Sequence, residues 1–174
     1  IYIAHQPGPF DQQAKVCYFG GVNHECDHIT EGTDIDHFMR VLSQEKHGQL
    51  LTRLVNFVED IRVEVSKDRK FPKIAISRKP YYEIKKSMVI KSIDKVNRQS
   101  GLPSILHACG CMTIFKARLP QLGIKDDIKV SPELQAIYNK YFRKFEARID
   151  KLTDYQSAEK LGRDMLEALK DLIR

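Results

Sequence analysis

Tryptophan is absent from these 174 residues, and cysteine (4), proline (7) and glycine (9) are sparse. So little proline and glycine excludes a collagen-like or low-complexity chain. Cys17, Cys26, Cys109 and Cys111 are too few and too unevenly spaced for a disulfide framework, which points to a reducing, cytoplasmic setting. No apolar run approaches the roughly 18 to 20 residues of a membrane span. Ile1 to Gln13 lacks the charged and apolar regions of a secretory leader, so neither a membrane nor export is expected. What is present, 42% apolar and 30% charged residues, suits one soluble globular domain spanning residues 1–174.

Charge is distributed unevenly. Residues 1–60 carry nine acids against four bases, a balance of −5, which leaves +11 on the remainder of a chain whose net charge is +6. Five of the six histidines (His5, His24, His28, His37 and His47) lie in that acidic third, where a cation would find ligands. The basic segment Lys67–Lys91 interleaves lysine and arginine with Tyr81 and Tyr82. It carries no nucleic-acid recognition signature, so a solvated basic face is the expectation there and nucleic-acid binding is not.

The pattern is mainly α, within an α+β class. Lys15–Phe19 has the β-branched and aromatic content of a short N-terminal strand ending at Gly20-Gly21. Val22–Glu31 reads as a helix stopped by Gly32, with Thr33 or Asp34 capping a second helix through Leu42. From Gly48, the residues Leu50, Leu51, Leu54, Val55, Val58, Ile61 and Val65 recur at three- and four-residue spacing and predict a core-facing helix ended by Phe71-Pro72. Further helices are expected over Lys85–Val96, over Leu102–Leu119 with closure by Pro120 and Gly123, from Ser131-Pro132 through Phe145, and from about Ser157 to Ile173.

The chemistry is concentrated in His24-Glu25-Cys26-Asp27-His28, an HExxH sequence. On a helix the i, i+4 spacing puts both imidazoles on one face, able to bind one Zn²⁺ at about 2.0–2.1 Å. Glu25 beside them is the candidate general base. It would take a proton from a metal-bound water and pass it to a leaving amine. Asp27 is unusual between two such histidines, where uncharged residues are the rule; it faces solvent or supports a ligand from behind. Cys26 points away from the histidine face and is expected to pack as a small apolar residue, and Cys109-Gly110-Cys111 as helix packing.

A third ligand has to come from elsewhere. The helix containing Asn56 to Glu64 supplies Glu59 at the border of the apolar stripe, the first choice, and Asp60 as the alternative. Arg62 lies within the apolar arc and is expected to pair with Glu59 or Glu64. Asp34, six residues past His28, and His37 behind it are further alternatives, although the nearby-ligand arrangement wants glycine where this chain has Glu31.

HECDHITEGTD (residues 24–34), NFVEDIRVE (residues 56–64) and Lys70-Phe71-Pro72 together resemble the zincin-like region that precedes the von Willebrand factor A domain in CobT-like proteins, relatives of a cobaltochelatase subunit that include phage-encoded chains. Thr33-Asp34, Asn56, Glu59, Asp60, Arg62 and Glu64 carry the likeness. The resemblance implies a gluzincin-type metallopeptidase fold, zinc, a protein or peptide substrate, and work beside a MoxR-type AAA+ ATPase. The DxSxS signature of the von Willebrand domain does not occur here. Two functions therefore stand at this point: a zinc-dependent peptidase, or a non-catalytic interaction module of a chelatase or ATPase assembly.

Overall fold

A computed structural model describes residues 12–173; His5 lies outside them. Eight α-helices are described: α1 Gln12–Thr30, α2 Gly48–Lys70, α3 Pro72–Ile93, α4 Leu102–Gln121, α5 Pro132–Tyr141, α6 Glu146–Ile149, α7 Tyr155–Ala168 and α8 Lys170–Ile173. A π-helical turn over His37–Val41 and short 3₁₀ turns connect them, and there is no strand among the described residues. No described helix is long and apolar enough to cross a membrane.

Helix α2 is the axis of the domain. Its stripe of Leu54, Val55, Val58, Ile61 and Val65 is buried, as its spacing predicts, and α7, α4, α1 and α3 pack around it. Two glycines set how closely. A Cβ at Gly162 of α7 would lie 2.6 Å from Val55 Cγ2 and 3.0 Å from the Val55 backbone nitrogen, and one at Gly110 of α4 would meet the Phe57 ring at 2.2 Å. Helix α4 contributes Ile105, Leu106, Cys109, Met112, Phe115 and Leu119 to the same core, so Cys109-Gly110-Cys111 serves packing here.

Several boundaries are as expected. Ser131 Oγ accepts the Leu134 backbone N–H at 3.2 Å and Pro132 opens α5. Gly123, at φ +63°, follows the end of α4. Others differ. Lys15–Phe19 is part of α1, not a strand, and the helix runs straight through Gly20-Gly21. At Gly20 the missing side chain makes room for Tyr81, whose Cδ2 lies 2.4 Å from where a Cβ would stand. Basic Lys67–Lys91 is helical almost throughout, being the end of α2 and most of α3, with Pro80 inside α3. The helix expected through Phe145 stops at Tyr141 and continues as a 3₁₀ turn and α6.

Candidate metal centre

The end of α1 builds half of the site. Gly32 takes φ +72°, and the Thr33 N–H reaches back to the His28 carbonyl at 3.0 Å, the long bond of a Schellman turn. This turn folds the chain over the last turn of α1 and sets Thr33 Oγ1 3.0 Å from His28 Nδ1. His24 and His28, one turn apart, meet edge to face with centroids 4.9 Å apart.

Helix α2 supplies the other half. Asp60 Oδ1 lies 3.2 Å from His28 Nε2 and 3.4 Å from His24 Nε2, and the two Nε2 atoms are 3.3 Å apart. Asn56 Nδ2 holds the other Asp60 oxygen at 3.1 Å. His24, His28 and Asp60 are the one cluster among the described residues whose ligand atoms could surround a metal ion.

The outer partners fix which nitrogens face inward. Glu64 Oε1, which only accepts, lies 2.9 Å from His24 Nδ1. Thr33 donates its hydroxyl proton to Glu59 Oε1 at 2.5 Å, so it accepts from His28 Nδ1. In its neutral form each ring would therefore carry its proton on Nδ1 and turn an Nε2 lone pair toward Asp60. Three electron-rich atoms then converge with no donor between them, an arrangement that needs a proton or a cation at its centre. A tetrahedral ion bonded at about 2.0–2.1 Å separates its ligand atoms by about 3.3 Å, which is the spacing seen. The residues present fit a zinc ion.

Charge behaves accordingly. Burial works against a charged His24, but hydrogen bonds and charge from Asp60 and Glu64 outweigh it and hold the imidazolium up to about 10. Burial also opposes ionisation of Asp60 and Glu64; the histidines, and for Glu64 the arginines Arg118 and Arg78, overcome it and bring both carboxyls down to about 2.

Behind the cluster lies a buried ionic layer. Glu64 accepts from the Tyr82 hydroxyl at 2.5 Å and from Arg118 Nε at 3.0 Å, with Arg78 3.7 Å away. Arg78 and Arg118 also hold Asp68, and Arg78 pairs with Asp27. Asp27 is thus neither solvated nor a ligand's partner: it is 4% exposed and fastens α1 to α3.

Glu59, the first choice for third ligand, is placed differently from Asp60. Its carboxylate is taken by Arg62 at 2.6 and 2.7 Å and by Thr33, so it stands behind His28 and does not face the Nε2 atoms. Glu25 is exposed, and its carboxylate has no partner among the described residues. Asp34 accepts the His37 backbone N–H at 2.9 Å as a cap, and His37 Nε2 lies 3.0 Å from Glu159; neither joins the cluster. Cys26 is exposed, not packed. Sequence reasoning missed Tyr82, Arg78 and Arg118. Only the i, i+4 placement of Arg78 and Tyr82 on one face of α3 hinted at the first two.

No protein-family model matches this chain, and neither a curated protein nor a solved structure matches it.

Proposed function

We propose that this chain is a zinc-dependent peptidase domain in which His24, His28 and Asp60 hold the metal and Glu25 is the general base. One observation carries the reading: two Nε2 lone pairs and a carboxylate oxygen converge at 3.2–3.4 Å on a helix that reads HExxH. Bound there, zinc supplies a Lewis acid for the scissile carbonyl and acidifies a water molecule.

The chain's own residues do the rest. Glu64 and Thr33 lock the tautomer and tilt of the two imidazoles, and Asn56 fixes Asp60. Glu25, one residue from His24 and unpaired, is free to take the proton of the attacking water and hand it to the departing amine. Peptides are the substrate class that such a pairing of Lewis acid and carboxylate base serves. The likeness to CobT-like proteins supports the zincin-like reading and suggests an AAA+ ATPase of the MoxR type and a von Willebrand A domain as partners. It adds nothing in favour of cobalt insertion.

A second reading, a structural zinc site in an interaction module, draws on the exposed Glu25 carboxylate, which nothing holds in a catalytic pose. Glu25→Gln separates the two. In a peptide-library assay, turnover that disappears in this variant while zinc content stays constant supports the peptidase. Equal cleavage by both proteins removes Glu25 from the role of general base, and no cleavage by the zinc-loaded wild type supports the module.

A further inference from the structure

Helices α2 and α3 run antiparallel, so their polar side chains meet in opposite order. Arg78 meets Asp68 and Glu64, and Tyr82 meets Glu64; the next turn of α3 brings Lys85 toward the level of Asp60. Lys85 differs from the other cations of this layer. Arg62, Arg78 and Arg118 are each ion-paired, whereas no carboxylate among the described residues lies within salt-bridge distance of Lys85. Its Nζ is instead held 5.3 Å from the centre of the Tyr81 ring and 5.9 Å from that of Tyr82. Aromatic faces hold an ammonium in place without neutralising it.

The surroundings keep this charge. Lys85 is half-buried; burial alone would favour the neutral amine, but Tyr81, Glu64 and Asp60 outweigh it and raise the ammonium above the usual lysine range. The Tyr81 ring is seated on α1 at Gly20, one turn before His24. Gly21 lies on the histidine face of α1, and beyond its chain neighbours and the adjoining α1 backbone no described atom stands within 4 Å of where its side chain would begin. The approach to the histidines is open on that side among the described residues.

Charge balance then decides what belongs there. With both imidazoles neutral, the carboxylates of Asp27, Asp60, Glu64 and Asp68 outnumber the cations Arg78, Lys85 and Arg118 by one. A divalent cation held by two neutral imidazoles therefore leaves one positive charge unmatched, and Lys85 is the one cation among these groups without an ion pair to a carboxylate.

We propose that Lys85 is a substrate-contacting residue that holds the carbonyl oxygen of the bond being cut, the oxygen that becomes an oxyanion and then part of the product carboxylate. The proposal rests on the zinc-peptidase reading above. An ammonium prefixed where negative charge develops stabilises the transition state more than the ground state.

The test uses the chain loaded with Co²⁺, whose visible absorption reports ligands near the metal, titrated with acetate as the product-carboxylate probe at fixed pH. The wild type is expected to bind acetate, Lys85→Met to bind it about tenfold more weakly, and Lys85→Arg to stay near wild type. Co²⁺ affinity in Lys85→Met is expected to be equal or higher, because a like charge has been removed; a merely structural lysine would lower it. Should Lys85→Met fail to fold, Lys85→Gln takes its place. Acetate affinity unchanged by the substitution, or no acetate bound by the wild type, overturns the role of Lys85 and leaves the metal site standing. Folded wild type that binds no Co²⁺ overturns both.

Discussion

His24 Nδ1 lies 2.9 Å from Glu64 Oε1, and that single contact turns the opposite nitrogen of the ring toward Asp60 and His28. Glu64 also anchors Tyr82 and Arg118, so the group that orients a ligand is one of the most heavily bonded carboxylates in the domain. Glu64→Gln is expected to weaken zinc binding about 10- to 100-fold, the usual effect of removing a ligand's outer partner. It is also expected to destabilise the fold by about 3 kcal/mol, since Arg118 keeps Asp68 but loses the more deeply buried of its two carboxylates. Chelator competition and urea unfolding of the same protein read the two effects.

Glu59 and Asp60 are neighbours with different tasks. Asp60→Asn, which takes the charge from the atom facing both Nε2 positions, is expected to cost more zinc affinity than Glu59→Gln. Glu59→Gln is expected to keep zinc at full stoichiometry while lowering stability, because Arg62 is only 3% exposed and loses its carboxylate. The reverse order of zinc affinities would restore Glu59 as the ligand.

The metal-free chain should depend on pH through His24. Its imidazolium is raised from an ordinary 6.5 to about 10, so the stability it contributes is complete below the unfolded value and is lost as pH rises through the folded one. Between those limits each pH unit removes up to about 1.4 kcal/mol. Asp60 and Glu64 act with the opposite sign: their contribution is present above the unfolded carboxyl range and lost as pH falls through about 2. With zinc added, the His24 Nε2 lone pair is committed and cannot take that proton, so the alkaline decline should disappear. Thermal melts from pH 6 to 10, with chelator and with zinc, read this directly; a flat profile in chelator contradicts it.

Asp27→Ala is expected to lower stability by about 3–5 kcal/mol, leaving Arg78 buried without one of its carboxylates. Asp27→Ala, Arg78→Met should recover part of that loss, and a double-mutant cycle in urea measures the coupling. No coupling would mean that the pair does not fasten α1 to α3.

Local signals in the sequence were readable where a single helix decides the outcome. The HExxH spacing, the Gly32 stop, the Ser131 cap and the apolar stripe of α2 all concern residues within a turn or two of one another. Lys15–Phe19 shows the limit. Its β-branched and aromatic content suggested a strand, and Gly20-Gly21 suggested a break, yet that glycine is there for the close approach of Tyr81 from another helix. On spacing alone Glu59 is the better third ligand than Asp60, because it borders the apolar stripe. The border carboxylate is taken by Arg62, buried within the apolar arc, and only the placement of α1 shows that Asp60 faces the histidines. Arg78 and Tyr82 were hidden in a segment read as a basic surface, because α3 is packed by α1, α2 and α4 and shows no clean apolar face.

The most direct measurement is elemental analysis of the chain purified without added metal, beside His24→Ala, His28→Ala. About one zinc per chain, absent from the variant while its helical content is unchanged, is the expected result. Zinc retained by the variant, or another metal such as iron in its place, or a folded wild type with no metal after incubation with zinc, would contradict the assignment of this cluster as a zinc centre.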